Sequence, residues 1–217
     1  MKRDTATLAF GALLILAGAL FLVGNFGLFD VGSMFIALLF SAGGVAFLVV
    51  FISNLNQNWW AVFPAFALLG IGSLIGLTTL LPQVGAVIGG GLFLGALSLA
   101  FWIVYLTQPE RWWAVIPGGV LLTLSVVATL GSVHLPFLTE LSGAVFFFGL
   151  AATFGLLYFL PAPQGRQHWT VYPAAGCAFL GVLTLAGSTG IFNFIWPAAL
   201  ILAGLYLVYR NSQRRQL

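Results

Sequence analysis

The chain has 217 residues, of which 61% are hydrophobic and only 5% charged, with a formal net charge of +3. A soluble domain carries roughly 25% charged residues, so this composition excludes a water-facing globule, and the solvent for most of the chain must be lipid. The small positive charge needs no nucleic-acid partner; it suits anionic headgroups, at about 1 kcal/mol per basic residue.

In chain order the apolar runs can be read between their polar breaks. The first, Leu8–Phe29, has a basic start at Lys2 and Arg3, but Gly24-Asn25-Phe26-Gly27 lacks a small-x-small cleavage pattern, so it reads as an uncleaved span rather than a signal peptide. Asp30-Val31 leads to the second, Gly32–Ser53. The polar stretch Asn54–Asn58 precedes the third, Trp59–Leu81. Pro82-Gln83 turns into the fourth, Val84–Leu106, and Thr107–Arg111 leads to the fifth, Trp112–Val133. The sixth, Leu141–Leu160, follows His134 to Glu140. The seventh, Trp169–Gly187, follows Pro161–His168 and contains the single cysteine, Cys177. Ser188 to Gly190 leads to the eighth, Phe192–Tyr209. Each run is near the roughly 20 residues that cross about 30 Å of hydrocarbon as a helix. Helices are required because lipid offers no partner for exposed backbone groups, and the runs do not alternate as barrel strands do.

Every Lys and Arg falls on one side of this ladder: Lys2, Arg3, Arg111, Arg166, Arg210, Arg214 and Arg215. An excess of basic residues in short loops marks the cytoplasmic face. The sequence therefore predicts an all-α, multi-pass protein of the plasma membrane, with eight transmembrane helices and both termini in the cytoplasm. Short outer connections make sequential helices antiparallel neighbours, giving a bundle of four hairpins at about 8–53, 59–106, 112–160 and 169–209 within one transmembrane domain.

The hairpins resemble one another. Trp59-Trp60-Ala61-Val62-Phe63-Pro64 recurs as Trp112-Trp113-Ala114-Val115-Ile116-Pro117, and more loosely as His168-Trp169-Thr170-Val171-Tyr172-Pro173. In the second helix Gly85-Ala86-Val87 matches Gly143-Ala144-Val145, with Gly32-Ser33-Met34 at the equivalent place. The period of roughly 50 to 58 residues suggests an array of one supersecondary unit, whose even span count relates its copies by an axis along the membrane normal. Tryptophan favours the headgroup level and proline is tolerated in a first helical turn. Trp59, Trp60, Trp112, Trp113, Trp169 and Trp196 are thus interface anchors, and a sharper reading makes them a platform for a lipid headgroup or quinone.

Helices in lipid associate by close packing of small residues. The chain holds 27 glycines, many at four-residue spacing, which places both on one helix face. Gly72 with Gly76, Gly85 with Gly89, Gly91 with Gly95, Ala151 with Gly155 and Cys177 with Gly181 are the candidate packing stripes. Alternatively, glycine and the hydroxyls Ser73, Thr78, Thr123, Ser125 and Thr184 line a narrow path.

Chemistry-bearing motifs are sparse. The four acidic residues, Asp4, Asp30, Glu110 and Glu140, all avoid mid-span positions, where an ion-coupled pump places its carboxylates. There is no phosphate-binding glycine loop, HExxH or CxxC. His134 and His168 belong to opposite faces and cannot share a metal or haem iron. No cofactor or metal site is expected. Only His134 with Glu140, near Ser132 on the outer side, offers an acid–base pair, and an ordinary polar loop explains it as well.

The two ends resemble the bacterial membrane module of LiaF-like envelope-stress proteins and of some proteins with PspC domains. The resemblance rests on Gly11-Ala12-Leu13-Leu14-Ile15-Leu16-Ala17-Gly18-Ala19-Leu20-Phe21-Leu22-Val23-Gly24-Asn25-Phe26-Gly27, and on Trp196-Pro197-Ala198-Ala199-Leu200-Ile201-Leu202-Ala203-Gly204-Leu205 followed by Arg210. In that family the two helices are consecutive, whereas here they are the first and eighth spans. The resemblance implies a bacterial inner-membrane protein with a sensing or accessory role and carries over no catalytic residue. The expected class is a non-catalytic membrane protein, an accessory subunit of a membrane complex or an envelope-associated sensor, with a membrane-protein partner or self-association. The alternative is a small transporter or channel for a neutral or apolar solute. Reporter fusions at Gln83 and Leu217 test the topology: the first should report outside and the second inside, and an outside signal at Leu217 would reject it.

Overall fold

The computed structural model describes residues 31–133, 135–160 and 167–188, together with isolated helical positions such as Gly11, Ile15, Leu200 and Tyr206. Most of the first and eighth predicted spans, with Trp196, His134 and every basic residue except Arg111, lies outside the described residues. Within them the chain is helical, and no strand occurs. The helices are α1 (Val31–Ser53), α2 (Val62–Leu80), α3 (Pro82–Thr107), α4 (Val115–Ser132), α5 (Pro136–Phe159) and α6 (Val171–Ser188). Three short 3₁₀ turns, η1 (Trp59–Ala61), η2 (Trp112–Ala114) and η3 (His168–Thr170), lead into α2, α4 and α6. Six described segments are long and apolar enough to cross a membrane, so the chain is a multi-pass helical membrane protein.

The boundaries shift where proline starts a helix. Pro82 and Gln83, expected to be a connection, form the first turn of α3, and Pro136 opens α5 four residues before Glu140. A proline in the first turn withholds only an N–H that would have no intrahelical partner anyway. The α2–α3 connection is consequently tighter than the composition suggests. Leu81 alone joins α2 to α3.

Extensive packing joins each helix to its sequence neighbours, α1 to α2 through α5 to α6, and to no other described helix. The described helices therefore stand in single file, where the hairpin pattern suggests a bundle. The reason lies in where the small residues fall. On α3, Gly85 approaches Thr78, Gly89 approaches Leu74, and Phe93 and Ala96 lie against Gly70, all on α2. Gly91 and Gly95 instead approach Ser125 of α4, and Phe101 and Trp102 lie against Gly118. Two opposite sides of one helix are thus used by two neighbours. The contacts also step in opposite directions along each pair, so the helices alternate up and down.

The seams are close. A Cβ on Gly72 would stand 2.8 Å from the Ala37 carbonyl oxygen of α1, and one on Gly91 would stand 2.7 Å from the Ser125 carbonyl oxygen. Between α4 and α5 the contact is reciprocal: Thr153 sits on Gly119 and Thr123 sits on Gly149. Gly44 meets the Ala65 carbonyl oxygen in the same way, and Gly181 takes the ring of Phe148. Among the candidate stripe glycines, Gly76 has only the Ala37 Cβ at 3.9 Å, and Gly155 has no neighbour within 4 Å. Gly119, Gly149 and Gly44 carry close approaches outside the candidate stripes: Gly119 with Thr123 and Gly149 with Thr153 fit the spacing once threonine is counted as small, whereas Gly44 has only Phe40 and Leu48 four residues away.

The densest burial sits at one end of the helices, around the 3₁₀ turns. Ala61, Val62, Ala100, Val104, Ala114 and Val115 are wholly buried there, with Phe51, Tyr105 and Leu157. Across the spans as a whole only 11% to 28% of the residues are buried, so much helix surface is left to lipid. These seams make a graded test. Gly72→Leu combined with Gly89→Leu should destabilise the protein by about 1–3 kcal/mol per site through overpacking, while Gly155→Ala should be neutral or stabilising by up to about 1 kcal/mol. Unfolding in detergent by SDS titration measures both, and equal losses would contradict the assignment of seams.

Candidate functional site

Two places concentrate polar groups or open space, and the local sequence explains each. The first is the end of the helices where the Trp turns lie. A polar stretch ends a helix, one N-cap residue follows, and three residues of 3₁₀ helix tuck the chain under the next helix. The Ala61 N–H donates to the Asn58 carbonyl at 2.9 Å, Ala114 to Arg111 at 3.0 Å, and Thr170 to Gln167 at 3.1 Å. Ala61, Ala114 and Thr170 are fully buried, because only a small residue fits where the turn meets the neighbouring helix. The Thr170 hydroxyl is satisfied locally, donating to the Gln167 carbonyl at 2.8 Å.

The paired tryptophans divide the work of this end. Trp59 and Trp112 are half-buried against the core cluster, whereas Trp60 and Trp113 are 49% and 39% exposed. Trp59 meets Trp113 edge-on with centroids 6.3 Å apart, and Phe101 meets both Phe63 and Trp113. In the third turn His168 takes the first position and rests edge-on against Tyr158 at 5.8 Å, while exposed Trp169 donates its indole N–H to Gln167 at 3.0 Å. The loops are tied to each other. The Asn58 side-chain amide donates to the Val50 carbonyl at 2.9 Å, and the Gln108 amide donates to the Leu55 carbonyl at 2.9 Å. Arg111 donates through Nε to Gln108 and its guanidinium stacks 3.8 Å above the Trp59 ring. Neither Gln108 nor Arg111 carries a sequence signature of this role; a lone glutamine between Thr107 and Pro109 looks like ordinary loop polarity.

The second place is an apolar groove of about 490 Å³ on one face of the row, bordered by α2 and α4 and floored by α3. Gly91 and Gly95 thin its floor, Leu99 and Leu122 stand at its rim, and Ser73 and Ser125 border it. A smaller groove of about 280 Å³ follows over the Thr123–Gly149 seam, with Leu122 as the shared ridge. Phe101 lies two residues from Leu99, about 200° around the helix, so Phe101 points away from the groove, whereas Phe66 lines it and Trp102 lines the smaller one.

The hydroxyls expected along a path are committed elsewhere. Ser73 donates to the Leu69 carbonyl, Thr78 to Leu74 at 2.9 Å, Thr123 to Gly119 at 2.9 Å and Thr184 to Leu180 at 3.0 Å, each within its own helix. Two others cross between α3 and α4: Ser98 donates to the Gly118 carbonyl at 2.7 Å, and Ser125 to Gly91 at 2.6 Å. No buried side-chain nitrogen or oxygen among the described residues lacks a partner. Among the same residues no group of three His, Cys, Asp or Glu side chains could hold a metal ion. Cys177 is a half-buried free thiol. Glu140 belongs to α5, but its side chain, like all of His134, lies outside the described residues.

No protein-family model matches the chain, and comparison with curated proteins and with solved structures finds no significant match.

The cross-helix bonds and the outer loop invite paired substitutions. Ser98→Ala should cost about 0.5–1.5 kcal/mol of stability, since it removes a buried interhelical bond without orphaning the Gly118 carbonyl. His134→Ala and Glu140→Gln should leave expression, insertion and any cellular phenotype unchanged. Loss of function in His134→Ala with normal insertion would instead assign chemistry to the outer loop.

Proposed function

We propose that this chain is a non-catalytic integral membrane protein, an accessory subunit of a membrane complex or an envelope-associated sensor, which acts by offering lipid-facing helix surface to a partner transmembrane helix. One observation carries the reading. No buried polar side-chain atom among the described residues lacks a bond, while the groove over Gly91 and Gly95 is left open and apolar. Interhelical binding in lipid depends on close approach over small residues, not on hydrophobic transfer. A glycine-thinned floor between two ridges is the surface such an approach needs. The eight-span arrangement as four repeated hairpins, with both termini cytoplasmic in a bacterial inner membrane, belongs to the same proposal and is supported by the one-sided Lys and Arg pattern and the recurring Trp turns.

Gentle detergent extraction followed by native mass measurement tests this. A complex with a second membrane protein, or a defined oligomer, is expected. Leu99 is 54% exposed at the groove, so Leu99→Trp should fill the groove, dissociate the complex and leave helicity unchanged. A strictly monomeric particle with no co-purifying protein would reject the reading.

A further inference from the structure

Arg111 is held in an unusual way for a loop arginine at a membrane interface. Its guanidinium is stacked 3.8 Å above Trp59, and Nε is engaged by the Gln108 side-chain oxygen. Gln108 is itself fixed, since its amide donates to the Leu55 carbonyl at 2.9 Å and to Asn56 Oδ1 at 3.3 Å. One face and one edge of the cation are thus immobilised. The two terminal nitrogens carry N–H donors in a rigid fork, and none finds an acceptor among the described residues. The neighbouring Glu110 is exposed and makes no ion pair with it. No buried side-chain nitrogen among the described residues lacks a partner, so these donors reach the surface, where a single anion can meet both.

Depth identifies that anion. Trp59, Trp60, Trp112 and Trp113 set this end of the helices at headgroup level, where the abundant anion is the phosphodiester of the lipid itself. A fixed guanidinium fork matches two phosphate oxygens at once. We propose that Arg111, stacked on Trp59 and braced by Gln108, binds the phosphate of an anionic phospholipid whose acyl chains run beside the exposed faces of Trp60 and Trp113. The site requires only that the chain lies in a bilayer. None of Arg111, Gln108 and Trp59 lines the groove, so its failure would leave the accessory-subunit reading untouched.

Native mass spectrometry of the full chain, released from detergent and titrated with phosphatidylglycerol, reads this site as the first lipid bound. Arg111→Ala should weaken that first binding step about tenfold or more while leaving later, annular lipids unchanged. Arg111→Lys should recover only part of it, because a point charge replaces the fork. Arg111→Gln gives the same readout if the alanine variant fails to insert, and Glu110→Gln should strengthen binding by removing a like charge. Glycerol phosphate at equal concentration should not displace the lipid; if it does, the site serves soluble phosphates and the lipid assignment is overturned. Equal first-lipid affinity in wild type and the Arg111 variants, or equal affinity for phosphatidylcholine and phosphatidylglycerol, overturns it as well.

Discussion

Lipid tails compete with every apolar contact inside this protein, and the structure is arranged around that competition. A leucine gains nothing by leaving acyl chains for another leucine. What lipid cannot reproduce is a backbone brought against a side chain at near-contact distance. The seams at Gly72, Gly85, Gly91, Gly119 and Gly149 supply this; Gly85 meets the backbone and methyl of Thr78, and each of the others faces a hydroxyl or carbonyl oxygen of the neighbouring helix. The hydroxyl participates twice. Thr123 and Thr153 donate back to Gly119 and Gly149 of their own helices, which satisfies the proton, and present the rest of the side chain to the facing glycine.

The single-file arrangement follows from the same constraint. A helix with one small-residue stripe makes a pair, whereas a helix with stripes on two sides, such as α3, becomes a link in a row. Rows leave broad faces to the bilayer, which is why large side chains such as Leu106 and Phe159 are 71% and 75% exposed. They also leave grooves wherever the middle helix is thinned by glycine, as α3 is at Gly91 and Gly95.

The Trp turns solve a different problem. Where a helix end meets water, apolar burial does contribute. That is where the fully buried Ala61, Val62, Ala114 and Val115 gather. The turns there combine a compact core with a loop closed on itself by Asn58 and two loops tied together by Gln108. One end of the helices is thus stiffened by burial and hydrogen bonds, and the remainder by close backbone approach.

Composition and run length alone determined that the chain is helical and crosses a membrane several times, because a bilayer admits few other solutions for a backbone with so little charge beside it. The Trp-Trp-x-x-x-Pro pattern likewise marked where α2 and α4 begin, since tryptophan and proline each have one favoured place at a helix start. The small-xxx-small pattern found Gly72, Gly85 and Gly91, but it could not separate them from Gly155. Spacing along one helix is local information, and whether a neighbour approaches is not. Nor could it find the Gly119–Thr153 and Gly149–Thr123 pairs, which exist only when two antiparallel helices are in register. The order of helices in the row, the groove over α3 and the stacking of Arg111 on Trp59 were decided by tertiary structure alone. Each depends on which side of a helix meets which neighbour, and a uniformly apolar sequence carries almost no periodic signal for that.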